Sequence, residues 1–214
     1  MDKKVLSGGK LAGGNPKRGR VENDYYATNP ESTRGLLDNV EFSGNRFLEP
    51  CCGEGHICKV IQEYYPDADI TAIDIADRGY GITGVNFLTY TSKELFDNII
   101  TNPPYEFAQE FIEHSLELVK PNGKVAMFLK VQFLEGIGRK EFFEQSPLKY
   151  VYVFRARQNP LRNGNPCDEN GKKWSSSTMC FAWFIFEKGY KGEPVIRWID
   201  KPKTNTYNEV SLWD

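Results

Sequence analysis

A short run of residues after an apolar stretch is suited to hold the N–H groups of a ligand. In "NIITNPPYEF", residues 98–107, the apolar residues are followed by Asn102, Pro103, Pro104 and Tyr105. The side-chain oxygen of Asn102 and the carbonyl of Pro103 can each accept one N–H, and successive prolines hold φ at about −65° and remove competing donors. Tyr105 adds a flat face on which a planar ring can stack. We predict that these four residues form the catalytic part of a site.

A glycine turn and a downstream acid have the residue types of a nucleoside site. In "FLEPCCGEG", residues 47–55, a strand ends at Glu49 and the chain turns through Gly53 and Gly55 into a helix. Asp74 ends the next predicted strand, nineteen residues after Gly55, and is placed to accept hydrogen bonds from both ribose hydroxyls. The pattern is not the G-x-G-x-x-G of nicotinamide enzymes, because Cys58 stands where a third small residue is expected.

All of these residues follow predicted strands in an alternating β/α pattern. Strands are predicted at residues 45–49, 69–75, 85–90, 95–101 and 124–130, with helices through Ile57, Val60, Ile61 and Tyr64 and at 106–120. A helical segment at about 131–145 and β-rich runs at 149–155, 178–188 and 194–200 follow. Such units build parallel strands with right-handed crossovers, so the ligand site is expected at the C-terminal ends of the strands.

Three segments resemble motifs of one enzyme family. "EPCCGEG" resembles the E/D-P-x-x-G-x-G loop of class I S-adenosylmethionine-dependent methyltransferases, and "TNPPYEF" resembles the N/D-P-P-Y/F motif of members that methylate amino groups such as N6 of adenine. "DYYATNPESTRGLL", residues 24–37, resembles the segment that phage and restriction-type adenine methyltransferases place before the glycine loop, with Asn29 at the position of a usual proline. Residues 24 to about 200 therefore resemble a small phage or prophage DNA adenine-N6 methyltransferase.

The resemblance implies a fold, a cofactor and a partner. The fold is an α/β, Rossmann-like three-layer sandwich with a seven-stranded mixed sheet whose last strand inserts antiparallel, and residues 24–214 form a single catalytic domain. The cofactor is S-adenosylmethionine, with S-adenosylhomocysteine as product, and the partner is nucleic acid, predicted to be DNA. The cofactor-binding residues implied are Tyr26, Thr28, Glu49, Pro50, Cys51, Gly53, Gly55, Asp74, Ile75, Asn86, Phe87, Leu88 and Asn102.

The same resemblance implies individual roles. Tyr26 and Thr28 would contact the amino-acid end of the cofactor, and residues 86–88 would bracket its adenine, although Asn86 stands where an aspartate is more common. The acceptors on Asn102 and Pro103 would favour the pyramidal form of the target amine as the methyl transfers. The reaction would be a direct displacement that needs no prior removal of a proton.

Two basic segments are candidates for contact with nucleic acid. Residues 1–23 form a Gly-rich basic arm, which we expect to be flexible and which could follow a phosphate backbone. The Asn-, Gly-, Pro- and Ser-rich loop 156–177 contains Arg162, Lys172 and Lys173 and is the candidate substrate-contact loop. No segment is large enough for a target-recognition domain, so we predict little or no sequence specificity.

Composition excludes several classes of protein. The 214 residues carry a net charge of −2, contain no apolar run of about 20 residues and begin without the apolar region of a signal peptide, which predicts a cytoplasmic protein. Five cysteines, an odd number, argue against a disulfide framework. The cluster "CCGEGHIC" lacks the spacing of a structural zinc site, and we expect small buried thiols and no metal there.

Other activities remain open at this stage. Guanine N2 or adenine N6 in RNA, or the glutamine amide of a release factor, are alternative targets because related enzymes use similar N-P-P-Y loops. Release-factor enzymes usually carry an N-terminal helical domain, which 23 residues cannot form. A non-catalytic protein that has kept the cofactor fold is a further alternative, against which residues 102–105 and Asp74 count.

Overall fold

The computed structural model describes residues 26–158, 161–162, 171 and 179–200. The strands are β1 (Tyr26–Ala27), β2 (Arg46–Glu49), β3 (Asp69–Ala72), β4 (Phe96–Thr101), β5 (Val119–Lys130), β6 (Leu148–Phe154), β7 (Leu161–Arg162), β8 (Phe181–Glu187) and β9 (Val195–Ile199). The α-helices are α1 (Pro30–Leu37), α2 (His56–Tyr64), α3 (Ala108–Leu118) and α4 (Lys140–Gln145). The basic arm and most of the loop 156–177 lie outside the described residues.

Seven strands form one mixed sheet in the order β3-β2-β4-β5-β8-β6-β9. β3, β2, β4 and β5 pair in parallel, β8 inserts antiparallel between β5 and β6, and β9 then adds in parallel to the outer side of β6. The seven-stranded mixed sheet with an inserted antiparallel strand is therefore confirmed. Because β2, β3 and β4 run in one direction, their C-terminal ends meet at the same edge, where the predicted site residues follow.

Helices cover both faces of this sheet and make three layers. On one face, α1 and α2 bury Leu36, Ile57 and Ile61 with Phe47 and Trp183 of the sheet. On the other face, apolar residues of α3 and the aromatic residues of α4 pack against the opposite sides of the same strands. The alternation of apolar side chains on β5 and β8 serves both layers, which explains why residues 125–129 of β5 and all of β8 except Glu187 are buried.

The prediction of a strand at residues 85–90 is wrong. The segment forms a 3₁₀ helix, Phe87–Thr89, and its N-cap Asn86 accepts a hydrogen bond from the backbone N–H of Leu88 at 3.0 Å. This local bond competes with pairing to a neighbouring strand, and the preceding Gly81 and Gly84 adopt positive φ, which interrupts extended backbone. Ile82 makes the isolated β-bridge in this region, to Ile73.

The helix predicted at residues 106–120 is shorter than expected. A 3₁₀ turn, Tyr105–Phe107, precedes α3, which ends at Leu118, and β5 begins at Val119. Pro121 disfavours helical backbone at the residue before it, and the sheet pairs Val119 with Phe96. The register shifts between Phe96 and Asn98 to accommodate residues 120–123.

Candidate functional site

A buried hydrogen bond joins the two predicted motifs. Glu49 ends β2 and Thr101 ends β4, and these neighbouring strands pair through Leu48 and Ile99. The hydroxyl of Thr101 donates to Oε1 of Glu49 at 2.5 Å, with both residues fully buried. The next residue after Thr101 is Asn102, so the glycine loop and residues 102–105 leave the sheet side by side.

Glu49 is a buried carboxyl group with hydrogen-bond partners for one of its two oxygens. It is 0% exposed; Oε1 also accepts the N–H of Cys51 at 3.1 Å, whereas Oε2 has no hydrogen-bond partner among the described residues. Burial, partly offset by the bonds from Thr101 and Cys51, raises the pKa of Glu49 from 4.5 to about 8. An unpaired buried acceptor beside a glycine turn is suited to a ligand that brings a donor or a positive charge.

The glycine loop is hydrogen-bonded directly to Asp74, the acid that follows β3. The N–H of Gly53 donates to Oδ2 of Asp74 at 2.8 Å, and Oδ1 accepts the N–H of Ala76 at 2.8 Å. Gly53 and Gly55 adopt φ of 53° and 81°, in the left-handed region that glycine tolerates best. Each Asp74 oxygen keeps acceptor capacity beyond these bonds, so holding the loop is compatible with the predicted contact to ribose hydroxyls.

Helix α2 begins at this loop without a side-chain cap among the described residues. Its N-cap is Gly55, which has no side chain to bond the first amides of the helix. Uncapped N–H groups and the positive end of the helix dipole favour an electronegative ligand atom. Pro50 is buried and Cys51 is half-buried within the turn, and both form part of its wall.

Tyr80 joins the candidate site, although no sequence pattern predicted it there. A Cβ built on Gly55 would lie 2.6 Å from two carbons of the Tyr80 ring, so the ring rests directly on the glycine turn. The carbonyl of Tyr80 accepts a bond from Sγ of Cys52 at 3.4 Å, and burial raises the pKa of its hydroxyl to about 12. Periodicity could not identify this contact, although the sequence "GYG" at residues 79–81 was a signal of a tight turn.

Residues 102–105 place an aromatic face at the edge of the site. Asn102 and Pro104 are half-buried, Pro103 is buried, and the carbonyl of Pro104 accepts the N–H of Phe107 at 2.9 Å to start the 3₁₀ turn. Tyr105 remains 37% exposed. Its ring centroid lies 6.2 Å from that of Phe181, and the ammonium of Lys130 sits 5.0 Å from it. The ring is thereby held on one side while part of it faces solvent.

The segment before α1 is held by the loop that follows β6. β1 pairs antiparallel with β7, which matches Ala27 to Leu161, and Thr28 behind β1 is 4% exposed. Tyr26 lies in β1, and the structure describes its backbone. Asn29, at the position of the usual proline, caps α1 by accepting the N–H of Glu31 at 3.0 Å. The segment predicted to contact the amino-acid end of the cofactor and the predicted substrate-contact loop are therefore joined by a small sheet, which sequence patterns did not reveal.

The predicted adenine-contact residues are divided between surface and core. Asn86 is half-buried and uses its side-chain oxygen for the cap described above. Phe87 is buried, and its ring packs on Phe111 and His114 with centroid separations of 4.9 Å for each pair. Leu88 and Ile75 are partly buried against the same core. Phe87 thus supports this part of the site from beneath.

The cysteine cluster packs as thiols. Burial raises the pKa of Cys52 to about 12 and that of Cys58 well above its ordinary value, so both stay protonated near neutral pH. Within the described ranges, no group of three or more His, Cys, Asp and Glu side chains is arranged to hold a metal ion. The free thiols there are those of Cys51, Cys52, Cys58 and Cys180.

Solved structures with the same architecture include methyltransferases. A class I S-adenosylmethionine-dependent methyltransferase of Listeria monocytogenes superposes with a TM-score of 0.57 at 15% identity, over 86% of this chain and 68% of that chain. A type I restriction-modification methyltransferase subunit of Streptococcus thermophilus gives 0.55 at 14% identity, over 83% of this chain and 47% of that one. The chain has the class I methyltransferase fold.

Sequence similarity points to the same group of proteins. The chain is 30% identical over 119 residues to a ribosomal RNA small subunit methyltransferase C of Hahella chejuensis, covering 45% of this chain and 35% of that protein. It is 25% identical over 122 residues to the type II methyltransferase M.CvrRI of Paramecium bursaria Chlorella virus XZ-6E, covering 52% of this chain and 32% of that protein. The matches thus span about a third of each relative, and no protein-family model matches the sequence.

The helices in the described part of the chain are all too short or too polar to cross a bilayer.

Proposed function

We propose that this chain is an S-adenosylmethionine-dependent methyltransferase that acts on an exocyclic amino group, namely N6 of adenine in DNA, with little intrinsic sequence specificity. The observation that carries the proposal is the hydrogen bond from Thr101 to Glu49. It holds residues 102–105, which have the chemistry to bind an amine, beside a glycine loop that has the chemistry to bind a nucleoside.

The residues at this edge of the sheet have the chemistry to bind S-adenosylmethionine, the cofactor that the methyltransferase relatives and the class I fold imply. When bound, this cofactor supplies a methyl group activated by its sulfonium charge. The uncompensated Oε2 of Glu49 would face a positively charged ligand, and the Asp74 carboxylate would accept from ribose hydroxyls. The glycine turn allows close approach to the backbone at Gly53 and Gly55, and Thr28 would close the site from the β1 side.

Residues 102–105 would prepare the target nitrogen. The lone pair of an exocyclic amine is delocalised into its ring, so the nitrogen is a poor nucleophile while it stays planar. Acceptance of its two N–H groups by the side-chain oxygen of Asn102 and the carbonyl of Pro103 favours the pyramidal form. The prolines keep these acceptors in a stiff frame, so positioning carries most of the rate.

Tyr105 would hold the base itself. Its ring is braced by Phe181 and by the ammonium of Lys130, and the exposed part is available for stacking. Stacking on one aromatic residue contributes about 1–3 kcal/mol per base and tolerates any base, which agrees with loose sequence preference. A base within a duplex would have to leave the helix to reach this ring.

The choice of polymer is the part of the proposal with a second candidate. The similarity to a ribosomal RNA methyltransferase favours amino methylation of an RNA base as the alternative. The similarity to a type II methyltransferase, together with the predicted adenine-type motif, supports DNA. We therefore propose DNA, and not RNA, as the substrate.

Mass spectrometry of nucleosides tests the polymer and the methylated atom together. Unmethylated DNA and total RNA are incubated in parallel with the purified protein and S-adenosylmethionine, and each is digested. We expect N6-methyladenine in the DNA digest. A methylated base that arises only in the RNA digest, or label only in protein, contradicts the DNA assignment.

Substitution of Asn102 tests the mechanism. We expect Asn102→Ala to lower the rate of methyl transfer by about 100-fold or more, because one of two acceptors for the amine is lost, with cofactor binding almost unchanged. Asn102→Asp keeps an acceptor oxygen at the same position and should retain measurable activity. Full activity in Asn102→Ala would refute the role of the amide.

A further inference from the structure

The loop that follows β5 begins beside the proposed site and contains an almost fully exposed isoleucine. Ile137 is 98% exposed, and Leu134 in the same loop is 39% exposed. Both belong to residues 131–139, which connect β5 to α4 through two 3₁₀ turns, Val131–Leu134 and Ile137–Arg139. The position of this loop and the contacts that anchor it indicate a function for the side chain of Ile137.

The loop starts next to the residues proposed to bind the target base. β5 pairs with β4, with Met127 opposite Thr101, and continues to Lys130. The ammonium of Lys130 lies 5.0 Å from the centroid of Tyr105, and the loop begins at the next residue, Val131. The loop therefore leaves the sheet beside the ring that is proposed to bind the target base.

The loop is anchored so that one side chain projects from it. The guanidinium of Arg139 donates to the carbonyl of Phe133 at 3.2 Å and to the carbonyl of Glu135, and it lies 4.8 Å from the centroid of the Phe133 ring. Phe133 is buried against Phe184 and the aromatic residues of α4. Arg139 therefore ties the loop backbone to the core.

Glycines flank the projecting residue, and a Cβ on the first of them, Gly136, would lie 3.3 Å from the guanidinium of Arg139. Gly136 adopts φ of 116° and ψ of 123°, a conformation that other residues rarely take, and a Cβ on Gly138 would have nothing within 4 Å. The neighbouring cation Lys140 pairs with Glu144 at 3.0 Å. An apolar side chain on an anchored loop, with open space beside Gly138, has the form of a wedge.

We propose that Ile137 inserts into the base stack of duplex DNA and stabilises the helix from which the target base has been extruded. This inference rests on the proposed function. Extrusion leaves a gap between neighbouring base pairs, and apolar side chains such as isoleucine are used to enter base steps. Leu134 would cover the adjacent base edge or sugar. The side chain forms no covalent bond and takes no part in the methyl transfer itself.

Comparison of duplex with single-stranded substrate isolates this role. Long unmethylated DNA is used either as duplex or after heat denaturation and rapid cooling, with saturating S-adenosylmethionine, for the wild type, Ile137→Ala and Ile137→Leu. For Ile137→Ala we expect kcat/KM on duplex to fall by about tenfold or more while the rate on single strands stays within about twofold, because only the duplex needs the gap filled. Ile137→Leu should keep most of the duplex activity.

Ile196→Ala is the matched control. Ile196 is also an exposed isoleucine, at 52%, but lies in β9 at the far edge of the sheet. Ile196→Ala should change neither the rate on duplex DNA nor the rate on single strands. Both alanine variants should unfold at the same temperature as the wild type. Equal loss on both substrates in Ile137→Ala, no loss on either, or a wild type active on single strands alone overturns the inference while the proposed function stands. A wild type that methylates no DNA overturns both.

Discussion

Glu49→Gln tests the electrostatic state of the site. Glu49 is wholly buried, Oε2 has no partner among the described residues, and burial raises its pKa from 4.5 to about 8. Because the pKa is raised on folding, the stabilising contribution of this group is complete below pH 4.5 and is lost as pH rises towards 8. The loss proceeds at about 1.4 kcal/mol per pH unit and reaches roughly 5 kcal/mol in all.

Glutamine keeps the shape of the side chain and removes its titration. The difference in free energy of unfolding, variant minus wild type, should therefore increase by about 3 kcal/mol between pH 5.5 and 7.5. At low pH the variant is expected to be the less stable protein, because its amide has two N–H donors where the protonated carboxyl has one O–H, at a position without a hydrogen-bond partner among the described residues; the extra unpaired donor costs about 1–3 kcal/mol. Changes common to both proteins, such as titration of His56, cancel in the difference.

The assay is urea unfolding followed by tryptophan fluorescence at half-unit pH steps. Glu106→Gln, which makes the same change on the exposed surface, controls for the loss of one negative charge. Parallel curves for Glu49→Gln and wild type across this pH range would refute the assignment of a protonated, buried Glu49. Titration with S-adenosylmethionine adds a second readout, because the positive charge of this cofactor favours ionised Glu49. The cofactor should bind the wild type more tightly as pH approaches 8, and it should bind Glu49→Gln more weakly.

Two further substitutions test the packing around the site. Gly55→Ala should weaken cofactor binding by about tenfold or more in equilibrium titration, because the new methyl would lie 2.6 Å from the Tyr80 ring. The control is Gly79→Ala, because Gly79 has a similar φ of 79° and a Cβ there would have nothing within 4 Å among the described residues. This variant should cost backbone strain of about 1–2 kcal/mol with little change in cofactor affinity. Equal effects of the two would argue against the contact with Tyr80. Trp183→Phe should lower the free energy of unfolding by about 1–3 kcal/mol, because it removes the buried indole donor to the carbonyl of Ser32 at 2.8 Å, and an unchanged denaturation midpoint would contradict this.

Local patterns were sufficient for most strands and for the edge of the sheet that carries the site. β2, β4, β6 and β9 each lie within one residue of the predicted bounds, because short apolar runs bounded by turn residues have few other stable arrangements. The strand predicted at residues 85–90 failed because the side chain of Asn86 bonds the backbone locally, an interaction that hydrophobic periodicity does not record.

The two motifs were visible in the sequence because their chemistry resides in residues next to one another. The glycine turn, Asp74 and residues 102–105 could each be located from residue type and spacing, and the parallel order of the strands predicted that they would meet. Their roles in binding and catalysis remain predictions that the experiments above address.

Only the tertiary structure decided how these residues are coupled. The bond from Thr101 to Glu49, the contact of Tyr80 with Gly55 and the pairing of β1 with β7 join residues that are 52, 25 and more than 130 positions apart. Pairing over such separations depends on strand order and register, which no local pattern specifies. The sequence by itself thus determined which groups are available for chemistry, whereas packing determined that Glu49 is buried with one oxygen unpaired and that Ile137 stays exposed.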